Sequence, residues 1–387
     1  HYVGVNDRNK HRFEGMWPLP YGVSYNSYLI DDEMVALVDT VDICYFEVYL
    51  RKIKQVIGER PINYLIINHM EPDHSGSIRL IKQHYPGIII VGNKQTFGMI
   101  EGFYGVTGEQ YLVKEGDFLA LGHHKLRFYM TPMVHWPETM MTFDETDGVL
   151  FSGDGFGCFG TVDGGFLDTR INVDKYWGEM VRYYSNIVGK YGSPVQKALQ
   201  KLGGLPISAI CSTHGPVWTE NIAKVIGIYD RLSRYDADEG VVIAYGSMYG
   251  NTEQMAEAIA EELSAQGVKN IVMHNVTKSH PSYIIADIFR YKGLIIGSPT
   301  YSNQIFPEVE ALLSKILLRE VKGRYLGYFG SFTWAGAAVK RLAEFAEKSK
   351  FELVGDPVEM KQAMKDLTYT QCENLARAMA DRLKKDR

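Results

Sequence analysis

The chain has 387 residues, of which 45% are hydrophobic and 22% are charged, with a formal net charge of -5 at pH 7. This length favours two domains, because a single hydrophobic core rarely grows so large. The mildly acidic balance, without any long basic run, argues against nucleic acid or an anionic membrane surface as a partner. No apolar run reaches the ~18 to 20 residues that a membrane-spanning helix needs.

The cysteines are few and lie far apart in the sequence, at Cys44, Cys158, Cys211 and Cys372. No two of them form a CxxC pair, and a chain of this size does not depend on disulfides for stability. The N-terminal segment lacks the apolar core of a signal peptide. We therefore expect reduced thiols and a cytoplasmic location, and we expect no fused domain with paired CxxC motifs.

In the first part of the chain, short apolar runs alternate with segments of helical periodicity. The predicted strands are Ser27–Ile30, Val35–Val38, Leu65–Ile67, Ile88–Val91, Leu126–Met130, Val149–Phe151 and Ile207–Cys211. The predicted helices are Tyr45–Ile57, Ser75–His84, Val173–Val188 and Asn221–Leu232. Many strands with helices between and beyond them predict two sheets faced by helices, an αββα sandwich.

A polar segment that ends at Gly240 separates this region from a regular alternation of strands and helices. We place the domain boundary there, which gives domains 1–237 and 238–387. The strands predicted after it are Val241–Tyr245, Ile271–His274, Leu294–Gly297, Tyr325–Phe329 and one near Phe351. The predicted helices are Thr252–Gln266, one near Tyr283, Pro307–Leu317, Ala335–Lys348 and Thr370–Leu383. This order predicts a doubly wound parallel sheet of the flavodoxin type.

The segment INHMEPDHSG carries four potential metal ligands directly after a predicted strand. In an extended segment alternate side chains share a face, so His69, Glu71 and Asp73 can point into one cavity. His74 follows where the chain turns into a helix. Three more ligand-type residues each follow an apolar strand and precede a turn: His135, Asp154 and His214. The pattern predicts a two-metal site.

This set of residues resembles the metallo-β-lactamase-type domain of flavodiiron proteins, over roughly residues 1–235. The zinc hydrolases of that superfamily carry HxHxDH in this loop, whereas Glu71 makes it HxExDH here. A carboxylate in place of an imidazole favours iron over zinc. The resemblance implies that His69, Glu71 and His135 hold one iron ion and that Asp73, His74 and His214 hold the other. It also implies that Asp154 bridges the two ions.

After the predicted strand Val241–Tyr245, the loop GSMYGNT opens a helix with small and hydroxyl residues. Backbone N–H groups and the helix dipole at such a position suit a phosphate. No lysine follows the glycine, which distinguishes the loop from Walker A. Two more loops follow strands and converge on the same end of the sheet. The loops resemble those that bind FMN in flavodoxins, and the predicted contacts are Ser247, Met248, Tyr249, Gly250, Asn251, Thr252, Pro299, Thr300, Tyr301, Asn303, Ser331, Phe332, Thr333, Trp334, Ala335 and Gly336.

Several aromatic residues are candidates for contacts at the two sites. Tyr301 or Trp334 is placed to stack on the flavin ring, although either can simply pack the domain. Tyr25 is a candidate hydrogen-bond donor to bound substrate, and the alternative is a role as a core aromatic. The candidate walls of the metal pocket are Tyr21, Tyr25, Trp136, Phe156 and Tyr183.

The resemblance implies an oxidoreductase in which FMN passes electrons to two iron ions, which reduce dioxygen to water, nitric oxide to nitrous oxide, or both. It also implies a head-to-tail homodimer, or a dimer of such dimers, with the flavin of one subunit facing the irons of its partner. A separate rubredoxin, or a similar small protein, is the expected electron donor. The sequence does not indicate which gas is preferred.

Two alternatives remain open at this point. The chain can be a zinc-dependent hydrolase of the metallo-β-lactamase superfamily with an accessory flavodoxin domain, and Glu71 argues against this. It can also be a non-catalytic electron carrier or flavin-dependent sensor with the metal domain as a scaffold. The complete set of seven ligand-type residues argues against a scaffold, because clustering so many polar groups is costly.

Overall fold

The computed structural model describes residues 1–386, and it divides into two compact units with the boundary after Ser233. The boundary that the sequence predicts, at residue 237, lies just beyond this point and directly before a strand that begins at Asp238. That domain division stays a prediction. Among the described residues, no helix has both the length and the apolar character to cross a membrane.

The first unit is built from short strands and medium-length helices. Its strands are β1 Val5–Asp7, β2 Arg12–Phe13, β3 Trp17–Pro18, β4 Val23–Tyr25, β5 Tyr28–Ile30, β6 Ala36–Val38, β7 Tyr64–Ile66, β8 Ile89–Gly92, β9 Gln110–Leu112, β10 Phe118–Ala120, β11 Lys125–Met130, β12 Met140–Asp144, β13 Val149–Gly153 and β14 Ala209–Ser212. Its helices are α1 Phe46–Ile57, α2 Pro72–Ser75, α3 Ile78–His84, α4 Lys94–Tyr104, α5 Asp174–Tyr183, α6 Gly192–Leu202 and α7 Ile222–Ser233. A π-helix, Tyr184–Val188, directly follows α5.

Two five-stranded sheets form the centre of this unit, in the orders β5-β6-β7-β8-β9 and β10-β11-β12-β13-β14. They share one hydrophobic core, to which Val38 and Ile66 contribute from the first sheet and Phe128 and Phe151 from the second. Pairing is parallel from β6 to β9 and between β13 and β14, so several strands end at the same side. This is the metallo-β-lactamase-like sandwich that the sequence predicts.

Some elements of the first unit were not predicted, and others differ in their limits. The strands β9, β10 and β12 and the helices α4 and α6 have no counterpart among the expectations. In β12 every residue is buried, so the strand shows no alternation of apolar and polar residues. The predicted helix from Ser75 begins at Ile78, after the separate short helix α2, and the one from Val173 ends its α-helical part at Tyr183.

The second unit is a parallel sheet with helices along the chain between its strands. Its strands are β15 Asp238–Tyr245, β16 Ile271–Asn275, β17 Tyr291–Tyr301, β18 Gln304–Ile305, β19 Tyr325–Phe332, β20 Glu352–Leu353 and β21 Val358–Lys361. Its helices are α8 Asn251–Ala265, α9 Pro281–Arg290, α10 Pro307–Leu318, α11 Ala338–Ser349 and α12 Asp366–Lys384.

The sheet order β16-β15-β17-β19-β20 is that of a flavodoxin-like doubly wound fold, as predicted. The strand expected near Phe351 is in fact split. Its first part, β20, pairs with the start of β19, and its second part, β21, pairs with the end of the same strand. Close packing within the sheet requires glycine at Gly297, where a Cβ atom would lie 2.1 Å from the ring of Phe329.

Candidate metal and flavin sites

The seven predicted metal ligands lie at strand ends of both sheets in the first unit. The HxExDH segment follows β7 and runs into α2, with Pro72 at the first helical position. Asp154 directly follows β13, and His214 comes two residues after β14. His135 lies in the turn between β11 and β12. All seven residues are buried, and none is more than 8% exposed.

Asp154 lies at the centre of this cluster, and its two oxygens face different histidines. Oδ2 is 3.0 Å from Nε2 of His135 and 3.8 Å from Nε2 of His69. Oδ1 is 3.1 Å from Nε2 of His74 and 3.5 Å from Nε2 of His214. A carboxylate in this position can contact two ions at once.

The remaining carboxylates divide between the same two pairs of histidines. Glu71 Oε2 lies 3.2 Å from His135 Nε2 and 3.7 Å from His69 Nε2. Asp73 lies on the other side, 3.4 Å from His214 Nε2 through Oδ2 and 3.5 Å from His74 Nε2 through Oδ1. We call His69, Glu71 and His135 the first subsite, and Asp73, His74 and His214 the second subsite. The grouping matches the sets that the resemblance implies, and the assignment as ligands stays a prediction.

Several polar atoms in the cluster are buried without any hydrogen-bond partner in the part of the chain that the structure describes. They are Glu71 Oε2, both carboxylate oxygens of Asp73, Nε2 of His74 and Nε2 of His214. Burying such atoms unsatisfied is costly, and native structures rarely do so. One cation in each subsite would satisfy them, so the residues present fit a two-metal centre. The mixture of carboxylate and imidazole donors suits iron.

The electrostatics of the cluster favour positive charge. Burial opposes protonation of His74 and His135, but the surrounding carboxylates outweigh it and raise both pKa values to about 10. Burial also opposes ionisation of Asp154, yet His74 and His214 hold the pKa of this carboxyl well below its usual range. Burial raises the pKa of Asp73. Without metal, protons supply the charge that cations supply in a loaded site.

A layer of residues behind the cluster was not predicted from the sequence. The Glu138 carboxylate lies 2.7 Å from Nδ1 of His69, on the side of the ring that faces away from the other ligand-type residues. The only sequence signal for this role of Glu138 was its position three residues after His135. Other contacts of this layer are made by Asp39 with the backbone N–H of Asn68, by Thr213 Oγ1 with Asp154, and by the carbonyl of Ser24 with Nδ1 of His214.

Three of the predicted wall residues lie beside the cluster. The rings of Tyr25 and Tyr183 are centred 6.1 and 5.8 Å from the His214 ring, and both hydroxyl groups are buried without a hydrogen-bond partner in the described part of the chain. The Trp136 ring is centred 5.3 Å from that of His69. Phe13, which was not predicted, packs edge-on against His214 at 5.3 Å.

The other two wall candidates lie elsewhere. Phe156 packs against Tyr229, with ring centroids 5.0 Å apart. Tyr21 is 51% exposed, beneath the ammonium group of Lys175. A cavity of about 650 Å³ reaches the cluster, and Phe13, Glu71 and Asp73 form part of its lining.

The predicted flavin contacts surround a cavity of about 620 Å³ in the second unit, at the carboxyl ends of β15, β17 and β19. Its size lies in the range of ordinary cofactor pockets. Every predicted contact lines it except Gly250 and Gly336. Three further residues line it that were not predicted: Ser302, Gln362 and Ala363.

The loops around this cavity are held together by hydroxyl groups. Gly250 has φ +88° and donates its N–H to Ser247 Oγ at 3.1 Å, immediately before α8 begins. Thr252 Oγ1 and Ser331 Oγ are 2.8 Å apart, which joins the first loop to the third. The free N–H groups at the start of a 15-residue helix form a site for a phosphate.

The aromatic candidates for the flavin ring are exposed at the rim of the cavity. Tyr301 is 48% exposed and Trp334 82%. A planar ligand would cover such surfaces, whereas a purely structural aromatic would be buried already. Stacking of Tyr301 or Trp334 on the flavin ring stays a prediction, and both alternatives stay open.

Comparison with known proteins relates both units to described families. Residues 23–215 match the family model "ODP family beta lactamase", and residues 243–374 match "Flavodoxin". The anaerobic nitric oxide reductase flavorubredoxin of Vibrio vulnificus is 32% identical over 358 residues, which cover 91% of this chain and 72% of that protein.

Two solved structures are similar to this chain along nearly its whole length. The rubredoxin oxygen:oxidoreductase of Desulfovibrio gigas has a TM-score of 0.95 and 31% identity, with 100% of this chain and 97% of that chain covered. The flavodiiron protein of Giardia intestinalis has a TM-score of 0.93 and 26% identity, with 100% and 96% covered. With these matches along nearly its whole length, the chain belongs to the flavodiiron proteins.

Proposed function

We propose that this chain is a flavodiiron oxidoreductase that reduces dioxygen to water, nitric oxide to nitrous oxide, or both, with electrons relayed through FMN. The observation that carries the proposal is the position of Asp154, whose two oxygens face the histidines of two separate subsites. Such a carboxylate suits a pair of iron ions. The flavin cavity of the second unit supplies a place for the electron-transferring cofactor.

The proposal assigns the iron ions to the two subsites and the FMN phosphate to the loop from Ser247 to Thr252. When bound, the iron pair supplies a place for the gas and changes of one electron per ion, and the flavin supplies electrons in pairs or singly. The protein's part is to hold these groups, to exclude water and to control protons. Three carboxylates in the cluster balance three of the four charges of two ferrous ions.

The aromatic residues beside the second subsite exclude water, and the hydroxyl groups of the two tyrosines among them keep their protons. Phe13, Tyr25 and Tyr183 surround the ring of His214. Burial raises the pKa of Tyr25 and of Tyr183 well above that of a free phenol. Both hydroxyl groups therefore stay protonated and can donate a hydrogen bond to a substrate bound nearby.

The partners of this chain follow from the family. The similar Desulfovibrio protein is named for rubredoxin and oxygen, and the similar Vibrio protein for nitric oxide and a flavorubredoxin. A separate rubredoxin or a similar small protein is the donor we propose. We also propose a head-to-tail homodimer in which the flavin of one subunit serves the irons of its partner. The free, widely spaced cysteines support a cytoplasmic location.

The zinc hydrolase alternative receives no support from the comparisons, because the similar proteins carry the names of oxidoreductases. The carboxylate of Glu71 in the first subsite also favours iron over zinc. Metal analysis of the purified protein separates the two hypotheses directly: iron at two ions per chain supports the oxidoreductase, and zinc with hydrolytic turnover supports the alternative.

The deciding experiment is anaerobic reduction through rubredoxin, followed by turnover with each gas. We expect consumption of dioxygen, of nitric oxide, or of both, and the ratio of the two rates defines the preference. Reduced, iron-loaded protein that is inert to both gases would remove the proposal. Light scattering after gel filtration tests the dimer separately, and a monomer with full activity would contradict it.

A further inference from the structure

A carboxylate holds His69 from the side that faces away from the other cluster residues. Oε1 of Glu138 lies 2.7 Å from Nδ1 of His69 and 2.9 Å from the backbone nitrogen of Met70. The Glu138 side chain is completely buried, and its backbone carbonyl accepts a hydrogen bond from Asn93 Nδ2 at 2.6 Å. One oxygen therefore fixes both a ring and the backbone of the ligand-bearing loop.

This contact determines which ring nitrogen of His69 carries the proton. Because a carboxylate accepts at Nδ1, that nitrogen donates, and Nε2 is left with its lone pair. Nε2 is the atom that faces the cluster, 3.7 Å from Glu71 and 3.8 Å from Asp154. A charged acceptor behind the ring also makes the histidine a stronger electron donor to whatever Nε2 binds.

The histidines of the second subsite lack such a partner. Nδ1 of His214 is paired with the neutral carbonyl of Ser24 at 2.8 Å. Nδ1 of His74 has no hydrogen-bond partner within residues 1–386. Asp39, another buried carboxylate nearby, hydrogen-bonds the backbone N–H groups at the start of the ligand-bearing loop and not a ring nitrogen. The two subsites thus differ in the partner of Nδ1, because a carboxylate bonds this nitrogen only at His69 among these three histidines.

We propose that Glu138 is a positioning residue that makes the two iron ions inequivalent, so that the ion of the first subsite is the more easily oxidised. This inference rests on the proposed function, since it requires an iron ion in each subsite. A stronger histidine donor stabilises the ferric state more than the ferrous state. In protein reduced by one electron per pair, the ferric ion therefore lies in the first subsite.

The test is Glu138→Gln in the full-length protein, loaded with ⁵⁷Fe. The substitution keeps the size of the side chain and an acceptor for His69, and it removes the charge. We expect two iron ions per chain, an upward shift of the midpoint potential of the iron pair, and a changed Mössbauer spectrum of the half-reduced protein. Glu138→Leu also removes the acceptor, and we expect iron binding in the first subsite to weaken by roughly 10- to 100-fold.

Asp144→Asn is the matched control. Asp144 is also buried and also pairs with a histidine, since its Oδ2 lies 2.8 Å from Nδ1 of His124, which is outside both subsites. This variant removes a charge from an equivalent carboxylate–histidine pair. We expect its iron content, potential and spectrum to equal those of the unchanged protein.

Three results would overturn the inference. Glu138→Gln protein with full iron and an unchanged potential and spectrum would show that the charge has no effect on the ions. Equal iron loss in the Gln and Leu variants would reduce Glu138 to a structural role. An equal shift in Asp144→Asn would indicate a general charge effect. Failure of the proposed function gives a different result, because the unchanged protein would then hold no iron pair or would be inert to both gases.

Discussion

The metal cluster and the flavin cavity bind their proposed cofactors by opposite means. The cluster is made of buried residues with charged and imidazole side chains, and several of their polar atoms are left unsatisfied. The flavin cavity is made of loops with small and hydroxyl residues, and the aromatic residues at its rim, such as Trp334, stay exposed. The cluster therefore depends on a cation for its charge balance, whereas hydrogen bonds within and between the loops hold the cavity in shape and leave the N–H groups at the start of α8 free for a phosphate.

This difference predicts that a substitution at one site leaves the cofactor of the other site bound. Metal binding should be strongly linked to protons, because cations replace protons on the histidines. Flavin binding should depend on a few backbone and hydroxyl contacts to the phosphate. Five predictions test this contrast.

Removal of the central carboxylate should separate the two sites most clearly. Asp154→Ala deletes the group that faces all four histidines of the cluster. We expect iron to fall below one ion per chain and gas reduction to fall by about 100-fold or more, since even changes behind metal ligands cost about 10- to 100-fold. FMN content, measured by absorbance, should not change. Two iron ions per chain in this variant would contradict the assignment, and Asp144→Asn serves as the control.

The second prediction concerns pH. The pKa values of His74 and His135 are about 10 in the metal-free cluster, because the carboxylates outweigh the opposing effect of burial. Below that pH a metal ion must displace protons, so its affinity should rise with pH by up to about tenfold per unit for each proton displaced. Competition titrations with Co²⁺ between about pH 6 and about pH 8.5 measure this. A pH-independent affinity would contradict the linkage.

The stability of the metal-free protein should respond to pH in the opposite direction. The protonated rings stabilise the fold fully below their unfolded pKa of about 6.5. This contribution is lost as the pH rises towards the folded values of His74 and His135. Chemical unfolding of metal-free protein at several pH values checks the sign, and saturating metal should abolish the trend.

A smaller effect is expected at the flavin cavity. Thr252→Val removes a hydroxyl group at the start of α8 that also bonds Ser331. We expect FMN to bind about tenfold more weakly, which is the contribution of one hydrogen bond to a charged group. Fluorescence titration of the FMN-free protein measures it, with iron content as the internal check. Thr277→Val, in an exposed turn, is the matched control. Unchanged FMN affinity would remove Thr252 from the phosphate site.

The smallest effect is expected from Tyr25→Phe. Its hydroxyl group is buried without a partner in the described residues, so its removal should leave iron and FMN content unchanged. We expect turnover to fall by about fivefold, the value of one neutral hydrogen bond. Tyr49→Phe is the control, because that hydroxyl group bonds Ser27 and lies outside the cluster. The control should cost about 1 kcal/mol of unfolding free energy without changing turnover. Equal turnover in Tyr25→Phe would exclude donation from this phenol.

The sequence indicates most of the residues that the structure brings together at the two sites, because each lies at a strand end with recognisable turn chemistry. The seven cluster residues and most residues of the flavin cavity belong to short local patterns. Glu138 does not, since it meets His69 across 69 positions in the sequence, and only the packing of the two sheets on each other brings them together. Asp39 and Thr213 were missed for the same reason.

Two of the strands that the sequence failed to predict share a physical cause. Periodicity reveals an element only when one face is buried and the other is exposed. Strand β12 is buried throughout, and β9 is exposed throughout, so neither alternates. Helix α4 contains two glycines, which weaken a helical pattern. The cavity-lining residues Gln362 and Ala363 were missed because they follow β21, whose existence as a separate strand was not predicted.

The split outer strand of the second unit has a further consequence. Parallel sheets end in a row of unpaired N–H and C=O groups, to which an extended segment of another chain can add. Here that row is broken between Leu353 and Val358, where Gly355 takes φ +70° and turns the backbone away. Two short pieces offer a poor template for a foreign strand. The interruption thus protects the domain against strand-by-strand aggregation on this flank.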